Sequence, residues 1–264
     1  MIALYTFALT LGASLSSGLS APLQSNIHSW SHTLALWAIF ALIALPIWWL
    51  FVSRRIDHSK AEPITEQTGT LPWNNKRAWL LTFSFGLMAM IFYSLTAWIP
   101  PMVQSMGYSK LYAGTALTIF TAIQLPVSLL LPFLLKRVPS KLVWLLIAST
   151  FEFAGLIMFS FGFHLLVSTA LIGIGAGILF PLNLMLPIAL TSNARDAAAW
   201  SAMTQSVGYL LGAAGPFIIG LSFDLTHSFF AAITGLMILT LIMMVIQVIS
   251  KPESEKRVSK KVAV

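Results

Sequence analysis

Runs of about 20 apolar residues recur along the whole chain, and that is the length an α-helix needs to cross the hydrocarbon core of a bilayer. They fall at about Ile2–Leu23, Trp30–Val52, Ala78–Val103, Leu111–Leu135, Leu142–Phe161, Leu165–Leu190, Trp200–Phe223 and Phe229–Ile249. Of the 264 residues, 58% are hydrophobic and 9% charged, whereas a soluble domain carries roughly a quarter of its residues as charges. An outer surface with so little charge must face something as apolar as the interior, which is lipid. The sequence therefore predicts an all-α integral membrane protein with about eight transmembrane helices. Gly and Pro within several runs fit this reading, because neighbouring helices re-satisfy freed backbone groups.

The net charge of +7 does not point to nucleic acid. The basic residues stand in short clusters between apolar runs, not on one face with aromatics. Cysteine is absent, which excludes disulfides, thiolate catalysis and Cys-based metal sites together. The first run lacks a basic leading segment and is longer than the 7–15 residues of a signal-peptide core. With Ser14, Ser16, Ser17 and Ser20 beside Gly12 and Gly18, it reads as a packing helix.

Orientation follows from Lys and Arg. Arg54, Arg55, Lys60, Lys76 and Arg77 follow the second run; Lys136, Arg137 and Lys141 follow the fourth; Arg195 follows the sixth; Lys251, Lys256, Arg257, Lys260 and Lys261 follow the eighth. Lys110 alone falls on the other side. Positive charge marks cytoplasmic loops, so both termini are expected in the cytoplasm of a multi-pass cell-membrane protein. The one long connection, Ser53–Arg77, reads as a flexible cytoplasmic linker. It divides the chain into residues 1–52, with two helices, and 78–250, with six, followed by a basic tail at 251–264.

Polar side chains inside the runs are the informative ones, since each costs free energy unless paired or hydrated. Glu152 is the only carboxylate deep within a run, and is a candidate proton- or cation-coupling group. The alternative is a carboxyl kept neutral, or one that reaches a hydrated crevice or a helix-end partner. Gln124, Asn183 and Gln205 lie near the middle of three different runs, with Tyr93 and Tyr209 at comparable depth. They could line a midplane cavity for a small polar or anionic solute, or bond helix to helix at about 0.6 kcal/mol each. Pro100–Pro101 is expected to end the third run, Gln124-Leu125-Pro126 to kink the fourth, and Pro181 and Pro187 bracket Asn183. Gly173, Gly175 and Gly177 precede Asn183, and Gly208 and Gly212 lead into Gly215-Pro216. Interrupted helices with polar neighbours occur at transporter sites; close packing through small residues is the other reading.

Enzyme signatures are missing. His28 and His32 have no third ligand nearby for a metal, and His58, His164 and His227 stand apart near loops. Paired carboxylates, a nucleophile elbow and a phosphate loop are all lacking, and nothing implies a cofactor.

The stretch Tyr93-Ser-Leu-Thr-Ala-Trp98-Ile-Pro-Pro101, followed by Gln124-Leu-Pro126, resembles the seventh and eighth helices of major facilitator superfamily proteins, within the cyanate/2-nitroimidazole transporter branch. Pro181-Leu-Asn-Leu-Met-Leu, Arg195-Asp196, Ser201 to Tyr209, Gly215-Pro216 and Asp224-Leu-Thr226 are similar to its tenth and eleventh helices. Leu11-Gly-Ala, Ala21-Pro-Leu23 and Leu34-Ala-Leu-Trp37 are similar to its fifth and sixth. The resemblance implies a fold of two six-helix halves, of which these residues supply the C-terminal six and the last two of the N-terminal half. It implies a secondary transporter, with Tyr93, Trp98, Gln124, Asn183, Gln205 and Tyr209 at the solute site. The implied partners are the bilayer, a small-molecule solute, and either a separate chain carrying the first four helices or a second copy. A non-transporting fragment or subunit is the alternative. The charge distribution generates the first prediction: with single cysteines on this Cys-free background, an impermeant thiol reagent labels Tyr108→Cys from outside and not Glu66→Cys. The reverse pattern contradicts the orientation.

Overall fold

The computed structural model describes residues 29–51 and 71–250, with isolated positions at 11, 12, 15, 16, 19 and 23 before them. The expected first span, most of the central linker and the basic tail therefore lie outside the described residues. The helices are α1 (Trp30–Phe51), α2 (Lys76–Ser105), α3 (Lys110–Ala122), α4 (Gln124–Arg137), α5 (Lys141–Ser160), α6 (Leu165–Leu190), α7 (Ala194–Thr226) and α8 (Phe230–Ile249). With α3 and α4 taken as one path, six of the described helical segments are long and apolar enough to cross a membrane.

Helix starts follow from capping chemistry. Asn75, Ser109, Ser140 and Asn193 precede α2, α3, α5 and α7, and each side chain accepts a hydrogen bond from a backbone N–H in the first turn. A helix leaves those N–H groups without partners, and a short polar side chain supplies the acceptor. Within the helices, hydroxyls turn back onto their own backbone. Thr82, Thr96, Thr118 and Thr240 each donate to the carbonyl four residues earlier, at 2.8–2.9 Å. This satisfies a polar group where no water is at hand.

Of two proline sites, one behaves as the sequence predicts and the other does not. The fourth apolar run is not one helix: it breaks at Ile123, between α3 and α4. Pro126 has no N–H to give the Ala122 carbonyl, and its ring crowds that oxygen. The third run, by contrast, does not stop at Pro100–Pro101; α2 continues through both to Ser105. Packing holds it there, since Ile99, Met102 and Val103 are fully buried.

The bundle is organised around α6. It packs against α2, α3, α4, α5 and α7, and 67% of its most apolar stretch is buried. Its alternate glycines explain how one helix can meet so many neighbours. Gly173 and Gly177, four apart, share a face and abut the α3–α4 break: a Cβ on Gly173 would fall 2.5 Å from the Phe120 carbonyl oxygen, and one on Gly177 3.0 Å from the Gln124 Cα. Gly175 faces the other way, where a Cβ would lie 2.6 Å from the Ala148 carbonyl oxygen on α5. A period of 3.6 residues sends positions 173 and 177 to one neighbour and 175 to nearly the opposite one. The remaining large seam joins α2 to α7.

Substitution at Gly173 should therefore be costly. Gly173→Ala is expected to destabilise by about 1–3 kcal/mol, the range for overpacking against atoms that cannot retreat. Gly114, on α3, has nothing within 4 Å of its added Cβ, so Gly114→Ala is expected to be neutral or stabilising by up to about 1 kcal/mol. Thermal unfolding of the two variants in one detergent separates them; equal melting temperatures contradict the packing account.

Candidate functional site

The candidate site is a groove of about 610 Å³ between α2 and α7, lined by Tyr93, Thr96, Ala97, Tyr209, Ala213 and Pro216. It exists because the two helices approach closely along one side. Gly208, Gly212 and Gly215 fall at helical spacing on the α2 face of α7. A Cβ at Gly208 would meet the Phe85 ring at 2.4 Å, one at Gly212 would meet the Ala89 Cβ at 2.9 Å, and one at Gly215 the Met90 carbonyl oxygen at 2.6 Å. Close packing through small residues, the plainer of the two sequence readings, thus holds for these glycines. It also sets the tyrosines side by side.

Tyr93 and Tyr209 face each other across the seam with ring centroids 6.3 Å apart. Edge contacts with Phe92 and Phe85 hold the two rings, at 5.5 and 5.1 Å. Trp98 is tied to the groove wall: its indole Nε1–H donates to the Pro216 carbonyl at 2.9 Å, and its ring packs on Phe229 at 5.7 Å. Three of the sequence candidates are therefore brought together.

The amides go elsewhere. Gln124 and Asn183 are each 1% exposed. Gln124 Nε2 donates to the Phe120 carbonyl across the α3–α4 break. Asn183 Nδ2 donates to the Leu179 carbonyl, and its Oδ1 accepts from Ser84 Oγ at 2.9 Å, tying α6 to α2. Neither lines the groove. Gln205 is half-buried on α7, one turn before Tyr209. Glu152 stands on α5, which packs on α6 and α8 and not on the groove helices.

The structure adds a feature that polar side chains alone do not reveal. In a helix each carbonyl accepts from the N–H four residues on, or three residues on in a tighter turn. For Ala97 those positions are Pro101 and Pro100, and neither has an N–H. Both prolines lie inside α2, and Ala97 is exposed on the groove wall. The Ala97 carbonyl therefore has neither of its usual helical donors. Gly212 loses its four-on donor to Pro216, which also lies within its helix. Consecutive prolines were the sequence signal; read as a stop, they conceal an acceptor.

The groove thus combines tyrosine side chains with a wall residue whose carbonyl lacks its usual helical donors, and none of its described lining side chains is charged. It can hold a small flat solute by stacking and accept a hydrogen bond from it.

Comparison with known proteins bears on the whole chain. A family model described as Major Facilitator Superfamily matches residues 1–216. The uncharacterized transporter YycB of Bacillus subtilis (strain 168) is 35% identical over 248 residues, covering 92% of this chain and 61% of that protein. The 2-nitroimidazole transporter of Escherichia coli (strain K12) is 29% identical over 254 residues, covering 95% and 64%. The cyanate transport protein CynX of the same strain is 28% identical over 253 residues, covering 91% and 64%. The chain spans less than two thirds of the length of these relatives.

Proposed function

The chain belongs to the major facilitator superfamily, and from that premise we propose that it serves secondary transport of a small polar solute, with the α2–α7 groove as one wall of the binding site. Transporters of this architecture expose a midplane site alternately to the two sides by rocking one bundle against another. The observation that carries the reading is the Ala97 carbonyl, which lacks its helical donors beside Tyr93, Tyr209 and Trp98. A solute that offers an N–H or O–H would fill that acceptor, while its ring or π-face stacks on the tyrosines.

The sequence reading allowed a polar or an anionic solute. The uncharged groove favours the polar one, since an anion here would meet no counter-charge among the lining residues. Two of the relatives are named for 2-nitroimidazole and cyanate. Of these, the N–H heterocycle fits a carbonyl acceptor flanked by aromatic rings. The distribution of Lys and Arg supports a cell-membrane protein with both termini cytoplasmic.

Alternating access needs two bundles that close on one site, so the solute path calls for four helices beyond those in these residues. They would come from elsewhere in a longer protein, from a separate chain or from a second copy. The 264-residue chain alone, purified into liposomes, is expected to take up neither nitroheterocycles nor cyanate-sized anions above empty vesicles. Co-reconstitution with the four-helix N-terminal piece of a relative is expected to restore saturable uptake. Robust uptake by the lone chain would contradict the need for a different polypeptide and point to a homodimer whose second copy supplies the opposing bundle. No uptake from an associated pair would contradict transport itself and favour a non-transporting subunit.

A further inference from the structure

Away from the groove, on α5 and α8, two buried polar atoms have no partner among the described residues. Glu152 Oε2 and Gln247 Nε2 have no hydrogen-bond partner, and both residues are 1% exposed. Ser149, fully buried, joins them: its Oγ donates to Gln247 Oε1 at 3.1 Å. Ser149 also lies three residues before Glu152 and so shares its face of α5. On the α6 side Glu152 is fixed by Gly175, whose added Cβ would meet the Glu152 Cβ at 2.9 Å. On α8, Met243, one turn from Gln247, is fully buried. A buried carboxyl thus lies one turn along α5 from a buried hydroxyl–amide pair that ties α5 to α8.

Among the described residues, no charge on the helices packed against α5 answers the carboxyl. α6 and α8 contain no Asp, Glu, Lys, Arg, His or Tyr, and on α5 the only other charged residue is Lys141 at its first position. Eleven residues separate the two, a rise of about 16 Å. A charged group enclosed without a partner is too costly to persist, so something small and positive must accompany it. The chemistry of the neighbours selects which. The unpartnered atom of Gln247 is an N–H donor, which repels a metal cation but suits a carboxyl oxygen. A carboxyl that carries one proton keeps its other oxygen free to accept from that N–H.

We propose that Glu152, Ser149 and Gln247 form a buried proton-binding site that fastens α5 to α8 and is separate from the solute groove. The proton would exchange with the aqueous side nearest the start of α5 and the end of α8: Gln247 is two residues from the last of α8. Releasing it leaves a bare carboxylate in the seam, so loss of the proton loosens α8 from α5. The proposal does not depend on the identity of the solute.

Infrared difference spectroscopy of the full chain in lipid nanodiscs, scanned over pH, tests it. Wild type is expected to show a protonated-carboxyl stretching band that Glu152→Gln abolishes and that Gln247→Leu shifts in frequency, with no change when sodium chloride replaces choline chloride. Glu152→Gln, the neutral isostere, is expected to keep the wild-type melting temperature and to lose its decline on alkalinisation. Four outcomes would overturn the proposal: absence of any band sensitive to Glu152→Gln, a band unmoved by Gln247→Leu, displacement of the band by sodium, or a Glu152→Gln chain that fails to fold where Glu152→Asp folds.

Discussion

In lipid a backbone carbonyl has no water to turn to, so every helix must close its own hydrogen bonds, and the places where it cannot are fixed by proline. The described bundle is governed by where those interruptions fall. Pro126 frees the Ala122 carbonyl and breaks the long fourth segment at Ile123; Gln124 Nε2 then reaches the Phe120 carbonyl at that point. Pro100 and Pro101 interrupt α2 without ending it, and the acceptor they strand is on the groove wall. The same rule that forces regular helices elsewhere thus marks two irregular places, one at the α3–α4 break and one beside the groove.

Around these points α6 acts as the common post. Its glycines bring α3 and α4 to one side and α5 to another at backbone contact, and Asn183 fastens it to α2 through Ser84. The groove and the Glu152 seam consequently sit on different helices: the groove on α2 and α7, the seam on α5 and α8. α5 itself contacts α6 and α8 and not the groove helices, whereas α8 also packs on α2 and α7.

Much of this was legible in the sequence. Span positions followed from apolar length, and the kink at Gln124-Leu-Pro126 from proline chemistry. Tyr93, Trp98 and Tyr209 were singled out by depth and resemblance; the structure puts Tyr93 and Tyr209 on one groove, with Trp98 bonded to the Pro216 carbonyl on its wall. The direction of each amide was not legible. Gln124 and Asn183 are lone amides in largely apolar helices, so no polar stripe tells which way either one turns. The extension of α2 past Pro101 was hidden for a related reason. Proline ends a helix when nothing else holds the chain, and here burial of Ile99, Met102 and Val103 does.

The central claim is that the Ala97 carbonyl, deprived of donors by two prolines, accepts a hydrogen bond from the solute. Pro101→Ala returns an N–H to the position that would normally bond that carbonyl. Equilibrium binding of 2-nitroimidazole and of its N-methyl analogue to the chain in nanodiscs, with and without the substitution, isolates that bond. Wild type is expected to prefer the N–H form by about 2- to 10-fold, the span of one net hydrogen bond, and Pro101→Ala to bind both alike. An undiminished preference in Pro101→Ala, or none in wild type, would contradict the account.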